Sequence, residues 1–505
     1  MPREDELDRL AGGSFDVLVI GAGAVGAATA WHAAAAGAAV AVVDRGDIAG
    51  ATTAASSKLM HGGLRYLAMG DVGLVRRAHA ERRIHARVIA PHLVRPLEFI
   101  VPVAPGSPAP LWRVRAGVFL YGALSRFADG RNGRIPLAAA RDRVPLLRTD
   151  GLHGAVLYHD HQTHDARLAI AALAAASANG AVVGTHAEVT CLAFRPGGHV
   201  VADIADGLGG ASFTLRARAV VNATGPWVDL TRRLEDSGAG TSVRLSKGAH
   251  VLLAGGGDWT AAVTTPLPEG RVSFAIPWEG MLLLGTTDEP FAGDPGAVAA
   301  TDADQAQILE EASGSLAAEA LRPELVRSRF AGLRVLPATG GSTVRARRDT
   351  VVSVGPRGMV SVAGGKLTTW RLIGARAATL ALAGRARRPG RRAAGALPGA
   401  APLAEVERAI ATAYPDAPAD VRAHLARHHG LRALEVLAPS RTDPGLIERI
   451  HPDGPDIWAQ VPYARDQEWA ATVQDVVRGR TTLALRGLDT AEVRAAVERM
   501  LGGGP

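Results

Sequence analysis

A chain of 505 residues exceeds the roughly 250–300 at which a single hydrophobic core stops growing, so two or more domains are expected. An apolar share of 47% excludes a disordered chain, and one cysteine, Cys191, excludes an internal disulfide and a cysteine-based metal cluster, which suits a reducing, cytoplasmic setting. The net charge of +7 invites a nucleic-acid reading, but of 56 basic residues only Lys58, Lys247 and Lys366 are lysine. Such a skew reads as arginine usage over the whole surface, and the basic stripe over residues 71–90 carries no interleaved aromatics, so no nucleic-acid partner is expected. The rarity makes the three lysines informative, because a compact ammonium does what a planar guanidinium cannot.

The acidic start of the chain lacks the apolar core of a signal peptide. Residues 15–20 read as a buried strand. Gly21-Ala22-Gly23-Ala24-Val25-Gly26, a small-residue helix over 27–36 and a second strand over 39–43 ending at Asp44 follow. This is the dinucleotide fingerprint in its required context: Gly21 allows the tight turn, Gly23 lets a pyrophosphate approach, and Gly26 lets helix and strand pack closely. The helix N-terminus offers amide donors to phosphate, and Asp44 is placed to bond a ribose hydroxyl. The alanine-rich run over 27–43 is a helix and a strand, too interrupted to span a membrane.

Residues 49–66 form a long irregular segment, suited to a loop running along an extended cofactor, and 71–90 predict a helix with Leu74, Ala78, His85, Val88 and Ile89 inward and Arg76, Arg83 and Arg87 solvated. From 96 to 156 the pattern is mixed, with a helix over 112–127. His159, His161 and His164 are dense enough to suggest a metal, but the tract precedes a helix over 166–179 with Asp165 as its N-cap, and no metal is expected. Strands are predicted at 181–183, 187–194 and 213–217, then a buried strand ending in Ala223-Thr224-Gly225. Further strands at 251–253, 272–276 and 281–284 suggest a mostly antiparallel sheet. A strand over 359–362 feeds Gly364-Gly365-Lys366 and a helix to about 383; 385–392 is a basic linker. Helices over 404–413, 419–429, 469–477 and 490–501 read as a separate C-terminal domain.

The series Gly21–Gly26, Ala51–Tyr66, Val221–Trp227, Lys247–His250, Ile276–Trp278, Leu284–Asp288, Gly364–Thr369 and Tyr463–Trp469 with Arg480-Thr481 resembles the FAD-dependent, aerobic-type glycerol-3-phosphate dehydrogenases in order along nearly the whole chain. The resemblance implies an α/β fold: a Rossmann-like FAD-binding domain (about 14–95, 150–240 and 350–383) interleaved with an antiparallel-sheet substrate domain (about 96–149 and 241–349), a linker over 384–400, and an all-helical domain over 401–505. It implies non-covalent FAD, oxidation of sn-glycerol 3-phosphate to dihydroxyacetone phosphate, electrons passed to a quinone, peripheral contact with the inner membrane surface, and a homodimer as one expected form. The cofactor residues it implies are Gly21, Gly23, Ala24, Gly26, Asp44, Arg45, Ser56, Ser57, Lys58, Leu59, His61, Gly62, Gly63, Val189, Ala223, Thr224, Gly225, Gly365, Lys366, Leu367 and Thr368. The sequence departs from the family at Val335, where proline usually follows the arginine at 334, and Arg347 competes with Arg348, the better match.

The chemistry assigns roles within that set. Arg334 and Arg348, with Arg65 and Tyr66, resemble the family's anion pocket and offer forked donors to the substrate phosphate. His250 is the first candidate and His61 the second for the base that takes the C2 hydroxyl proton. Lys366 is a counter-charge for the reduced flavin ring. An oxidase using oxygen and releasing peroxide is the rival enzyme, and a flavin-binding sensor without turnover the rival from another class.

Overall fold

The computed structural model describes residues 3–68, 70–338, 350–383 and 395–502. The expected arginines at 347 and 348 and the 385–392 linker lie outside the described residues.

Two sheets carry the main body. The first is organised around Ser14–Ile20, in which Val17 to Ile20 are all buried, and Val40–Val43, buried throughout. Such continuous apolar runs belong to parallel strands covered on both faces. The parallel order runs Val360–Ala363, Ser212–Asn222, Ser14–Ile20, Val40–Val43, Val182–Gly184. Val351–Val354 adds an antiparallel edge, and Ala187–Arg195 and His199–Asp206 extend Ser212–Asn222 as an antiparallel flap. Helices Ala24–Ala35, Asp165–Ser177 and Trp370–Ala381 share one core with this sheet. Small residues set how closely they approach: a Cβ on Gly374 would lie 2.4 Å from the Ala28 methyl.

The second sheet has ten strands, ordered Glu289–Phe291, Val243–Ala254, Met281–Gly285, Val272–Trp278, Ala261–Pro266, Val94–Val103, Gly154–Thr163 and Leu59–Met60, with Val326–Pro337 also pairing Val243–Ala254 and Gly133–Ile135 pairing Gly154–Thr163. Its pairs are antiparallel except Ala261–Pro266 with Val94–Val103. The C-terminal residues form helices Leu403–Ala413, Ala419–His429, Ala433–Leu437, Gln460–Gln467 and Ala491–Gly502 around two small apolar cores.

Several expectations need correction. The unplaced stretch after residue 96 holds the ten-residue strand Val94–Val103, hidden from the pattern by Pro96 and Pro102, which cannot donate to a ladder. Gly154–Thr163, expected in the nucleotide-binding part, belongs to the second sheet. The helix expected over 71–90 is Val72–Ile84 followed by a π-helical turn, His85–Ile89, and Val88 is exposed. His164, not Asp165, is the N-cap of its helix, because the Asp165 carboxylate is occupied elsewhere. No helix forms over residues 469–472: Trp469 has φ +57°, and the chain turns helical only at Val473, running on as a π-helical stretch from Asp475.

Candidate active site

The glycine turn joins the first strand to its helix. Gly21 has φ +104°, which favours glycine, and a Cβ there would sit 2.6 Å from the Ala223 carbonyl oxygen; a Cβ on Gly26 would overlap the Gly21 carbonyl at 1.8 Å. Strand ends bearing Asp44 and Ala223-Thr224-Gly225 converge here, at the carboxyl edge of the parallel sheet where such folds bind ligands. Asp44 accepts hydrogen bonds from the amides of Ala22 (2.6 Å) and Gly46 (2.9 Å), and burial pushes its carboxyl up from the usual range. Thr53 Oγ1 accepts from the Ala24 amide in the helix's first turn (3.0 Å), Gly23 being the N-cap. Arg45 is exposed, its guanidinium 5.3 Å from the Trp227 ring centre. Val189 lies half-buried on the antiparallel flap, which joins the site through the Ala187 amide donating to the Asp44 carbonyl (2.7 Å). A turn of glycine and alanine, a helix N-terminus and a carboxylate beyond the second strand fit the pyrophosphate and ribose of a dinucleotide.

The segment from Thr52 to Tyr66 leaves this turn and reaches everything else. Thr52 Oγ1 donates to the Leu333 carbonyl at 2.8 Å, and the Ala55 methyl lies 2.6 Å from where a Cβ on Gly332 would be. Ser57 Oγ is 2.8 Å from His250 Nε2. His250 is 3% exposed and stacks on Phe330, with ring centres 5.0 Å apart; its Nδ1 has no hydrogen-bond partner. Burial first, then the Arg334 and Lys58 charges, lowers the His250 pKa to about 3, so the ring is neutral near pH 7.

Arg334 stands on the strand paired with that of His250, in register with Ser246. Its guanidinium donates to the Lys247 carbonyl (3.1 Å), Thr286 Oγ1 (2.8 Å) and the Thr287 carbonyl (2.9 Å), with Asp288 at 3.4 Å. Gly248 makes room for it, since a Cβ there would lie 2.4 Å from the guanidinium. A neutral imidazole and a fixed cation thus share one strand pair.

The third group lies at the other end of the segment. Thr368 Oγ1 donates to the His61 carbonyl at 3.0 Å, and Lys366 Nζ sits 3.3 Å from the Tyr66 ring centre, a cation–π contact. Gly365 has φ +103°, and Leu367 opens the short turn Leu367–Thr369. The Gly62 amide donates to Asp160 (3.0 Å), and Gly63, at φ +83°, lies against the Tyr66 ring. Arg65 lies in helix Leu64–Ala68; its side chain, like Arg348, lies outside what is described.

Lys58 corrects the sequence reading. Its ammonium was expected along the cofactor; instead Nζ donates to both oxygens of Asp165 (2.8 and 3.0 Å) and to the Ala54 carbonyl (2.6 Å), so its three hydrogens are spent inside the protein. Ser56 Oγ also donates to Asp165, at 2.6 Å. Leu59 is buried in the second sheet's core. Lys247 pairs with Asp304 (2.8 Å) and Glu289 (3.1 Å). Lys58 and Lys247 are therefore ion-pair partners within the protein, and at these two positions rarity marked a structural constraint.

Sequence reasoning missed the residues that hold the segment from behind. Asp160 receives the Gly62 amide, Tyr121 Oη (2.8 and 2.9 Å) and Arg82, which also binds Asp129. Asp160 and Asp165 sit in the histidine-dense tract, where the sequence offered Asp165 only as a helix N-cap and Asp160 no role. Thr286 and Thr287, which orient Arg334, were visible only as a motif.

Residues 16–371 match the family described as FAD dependent oxidoreductase, and residues 392–502 match the C-terminal domain of alpha-glycerophosphate oxidase. Glycerol-3-phosphate dehydrogenase 2 of Mycobacterium tuberculosis is 34% identical over 98% of this chain and 86% of its own length. The structure of a glycerol-3-phosphate dehydrogenase from Bacillus halodurans, complexed with FAD, aligns over 99% of this chain and 96% of that one, at 27% identity and a TM-score of 0.75. An L-alpha-glycerophosphate oxidase from Mycoplasma pneumoniae with FAD bound, 16% identical with a TM-score of 0.60 over 76% of this chain and 99% of that one, shares the fold.

The buried Lys58–Asp165 pair generates a prediction. Lys58→Met leaves the Asp165 carboxylate buried without its partner and is expected to lower unfolding stability by about 3–5 kcal/mol, while Lys58→Met combined with Asp165→Leu is expected to lose clearly less. Urea unfolding of the two variants measures this; equal losses would mean the charge pairing is not what the site depends on.

Proposed function

Because the chain belongs to the FAD-dependent glycerol-3-phosphate dehydrogenase family, we propose that it oxidises sn-glycerol 3-phosphate to dihydroxyacetone phosphate and passes the electrons to a membrane quinone. The observation that carries this reading is the neutral His250 beside Arg334 on one strand pair, both adjoining the segment that leaves the glycine turn.

Bound FAD supplies the acceptor for the hydride leaving C2 of the substrate. The protein's own residues do the rest. Arg334, oriented by Thr286 and Thr287, binds the substrate phosphate, with Arg65, Tyr66 and Arg348 as further members of the anion pocket. His250 takes the C2 hydroxyl proton; its burial keeps it neutral and so able to accept, and Ser57 fixes the ring's orientation. His61, whose carbonyl is anchored by Thr368, is the second candidate. Lys366 sets a positive charge beside the ring-binding segment.

Anaerobic mixing of the holoenzyme with glycerol 3-phosphate is expected to bleach the flavin absorbance. Absorbance that persists would overturn the substrate assignment, and rapid peroxide release on admitting air would select oxygen over quinone as acceptor. Arg334→Ala is expected to raise KM for glycerol 3-phosphate at least a hundredfold while leaving FAD content near wild type; parallel loss of FAD would make Arg334 structural.

Peripheral membrane contact is supported by helix Leu111–Leu124. Trp112, Phe119 and Leu120 are 71%, 58% and 48% exposed, with Arg113 and Arg115 exposed beside them. An apolar face flanked by cations is the pattern that lies in an anionic bilayer surface. Arg83 donates to the Ser125 carbonyl (2.7 Å) and ties this helix to Val72–Ile84. No helix among the described residues is long and apolar enough to cross a membrane. Trp112→Glu with Phe119→Glu is expected to cut cosedimentation with anionic phospholipid vesicles at least tenfold while activity with a soluble dye acceptor persists. Unchanged cosedimentation would exclude this face.

A further inference from the structure

Where the C-terminal helices meet the second sheet lies a buried polar cluster that the chemistry above does not use. We propose that Glu279, His424 and His428 form a binding site for a divalent transition-metal ion, zinc being the ion whose preferences this donor set meets.

The ligands are placed by ordinary secondary structure. His424 and His428 are four residues apart on helix Ala419–His429 and share one face; both are essentially without exposure. Opposite them, Glu279 occupies the turn between strands Val272–Trp278 and Met281–Gly285. It adopts φ +51°, a left-handed conformation that a glutamate rarely takes, and thereby directs its carboxylate inward. Glu279 Oε2 lies 3.8 Å from His424 Nδ1 and 3.9 Å from His428 Nε2. A tetrahedral ion with bonds of about 2.0–2.2 Å needs donors about 3.3–3.6 Å apart, so each glutamate–histidine edge needs to close by only about 0.2–0.6 Å, and all three ligand atoms already lie within 4.8 Å of one another.

Two independent observations point to a ligand. His424 Nδ1 and both ring nitrogens of His428 are buried with no hydrogen-bond partner, an arrangement costing about 1–3 kcal/mol per atom unless something satisfies it. The other nitrogen of His424 donates to Asp456 Oδ1 at 2.9 Å, and Asp456 is itself held by Thr482 through its amide (3.1 Å) and hydroxyl (2.6 Å). A carboxylate behind a histidine fixes the tautomer that leaves the opposite nitrogen as a lone pair, which is the outer-shell pattern of metal-ligating histidines.

The arginines around Glu279 oppose an ion and limit its affinity. Arg427 donates to both carboxylate oxygens at 3.1–3.3 Å, Arg95 reaches Oε1 at 3.5 Å, and Arg486 donates to the Glu279 carbonyl at 2.8 Å. Arg427 is 24% exposed and can turn toward water, leaving Oε1 to Arg95 and Oε2 to the ion. Glu279 and Asp456 supply two negative charges against the ion's two. Bound there, the ion would cross-link helix Ala419–His429 to the strand pair whose far end, Gly285, is in register with His250.

The test uses the FAD-loaded enzyme stripped of metal by chelator and dialysis. Titration with Zn2+ against a chromophoric chelator is expected to give one equivalent per chain, with a rise in Tm on binding, and Co2+ is expected to give the intense visible bands of a four-coordinate site. His428→Gln is expected to weaken Zn2+ binding at least tenfold with FAD content unchanged; Glu279→Gln serves if that variant does not fold. Wild-type protein that binds no stoichiometric Zn2+, or binds it as well after His428→Gln, would overturn the proposal.

Discussion

The ion pair between Lys58 and Asp165 fixes the segment on which the site depends. Lys58 takes φ +57°, turning the chain so that its ammonium points inward to the start of helix Asp165–Ser177 while Ser57 faces His250. A buried charge of either sign alone is costly, so each side chain holds the other in place. Ser56 and the Ala54 carbonyl complete the ammonium and carboxylate shells. The same ammonium lies 5.3 Å from the Phe330 ring centre, and Phe330 stacks on His250. One pair therefore sets the path of the segment, the support of the imidazole and part of its electrostatics.

The C-terminal domain is joined to the rest by a comparable economy of buried charge. Arg480 forms two bonds of 2.7 Å to Asp47, three residues beyond Asp44, and Arg167 forms two of 2.6 Å to Glu468. His186 and Asp475 add a contact of 2.9 Å, and the pairing raises the histidine's pKa despite its burial. Forked guanidinium–carboxylate pairs fix orientation as well as distance. The helical domain thus braces the turn that follows Asp44 at the end of the second parallel strand.

The first sheet was legible because its signals are local. A buried strand, a glycine turn and an alanine helix lie within 30 residues, and Gly21 and Gly26 are needed by close approaches to the Ala223 carbonyl at the neighbouring strand end and to the Gly21 carbonyl. The second sheet was less legible. Its long strand Val94–Val103 contains two prolines, and its partners come from residues 154–163 and 261–266, so neither period nor proximity announced it. Of the site, the glycine turn, His250, Arg334 and Lys366 stood out as residue types in motifs. Asp160, Arg82 and Tyr121 did not, and Asp165 showed only as a helix N-cap, since a buried acid is recognisable as a partner only beside the donors that satisfy it.

What the sequence alone determined is the chemistry available: a dinucleotide turn, two histidines and a small set of cations in the order that one flavoprotein family uses. What only the tertiary structure decided is which of those groups are tied up by partners within the protein. Lys58 and Lys366 are equally rare and equally placed in motifs, yet one is sealed against Asp165 and the other lies over Tyr66. The difference is made by a carboxylate 107 residues away along the chain, brought close by packing of a helix against the first sheet. Local sequence specifies a residue's chemistry, while its exposure and charge partners are set by contacts that only the folded chain makes.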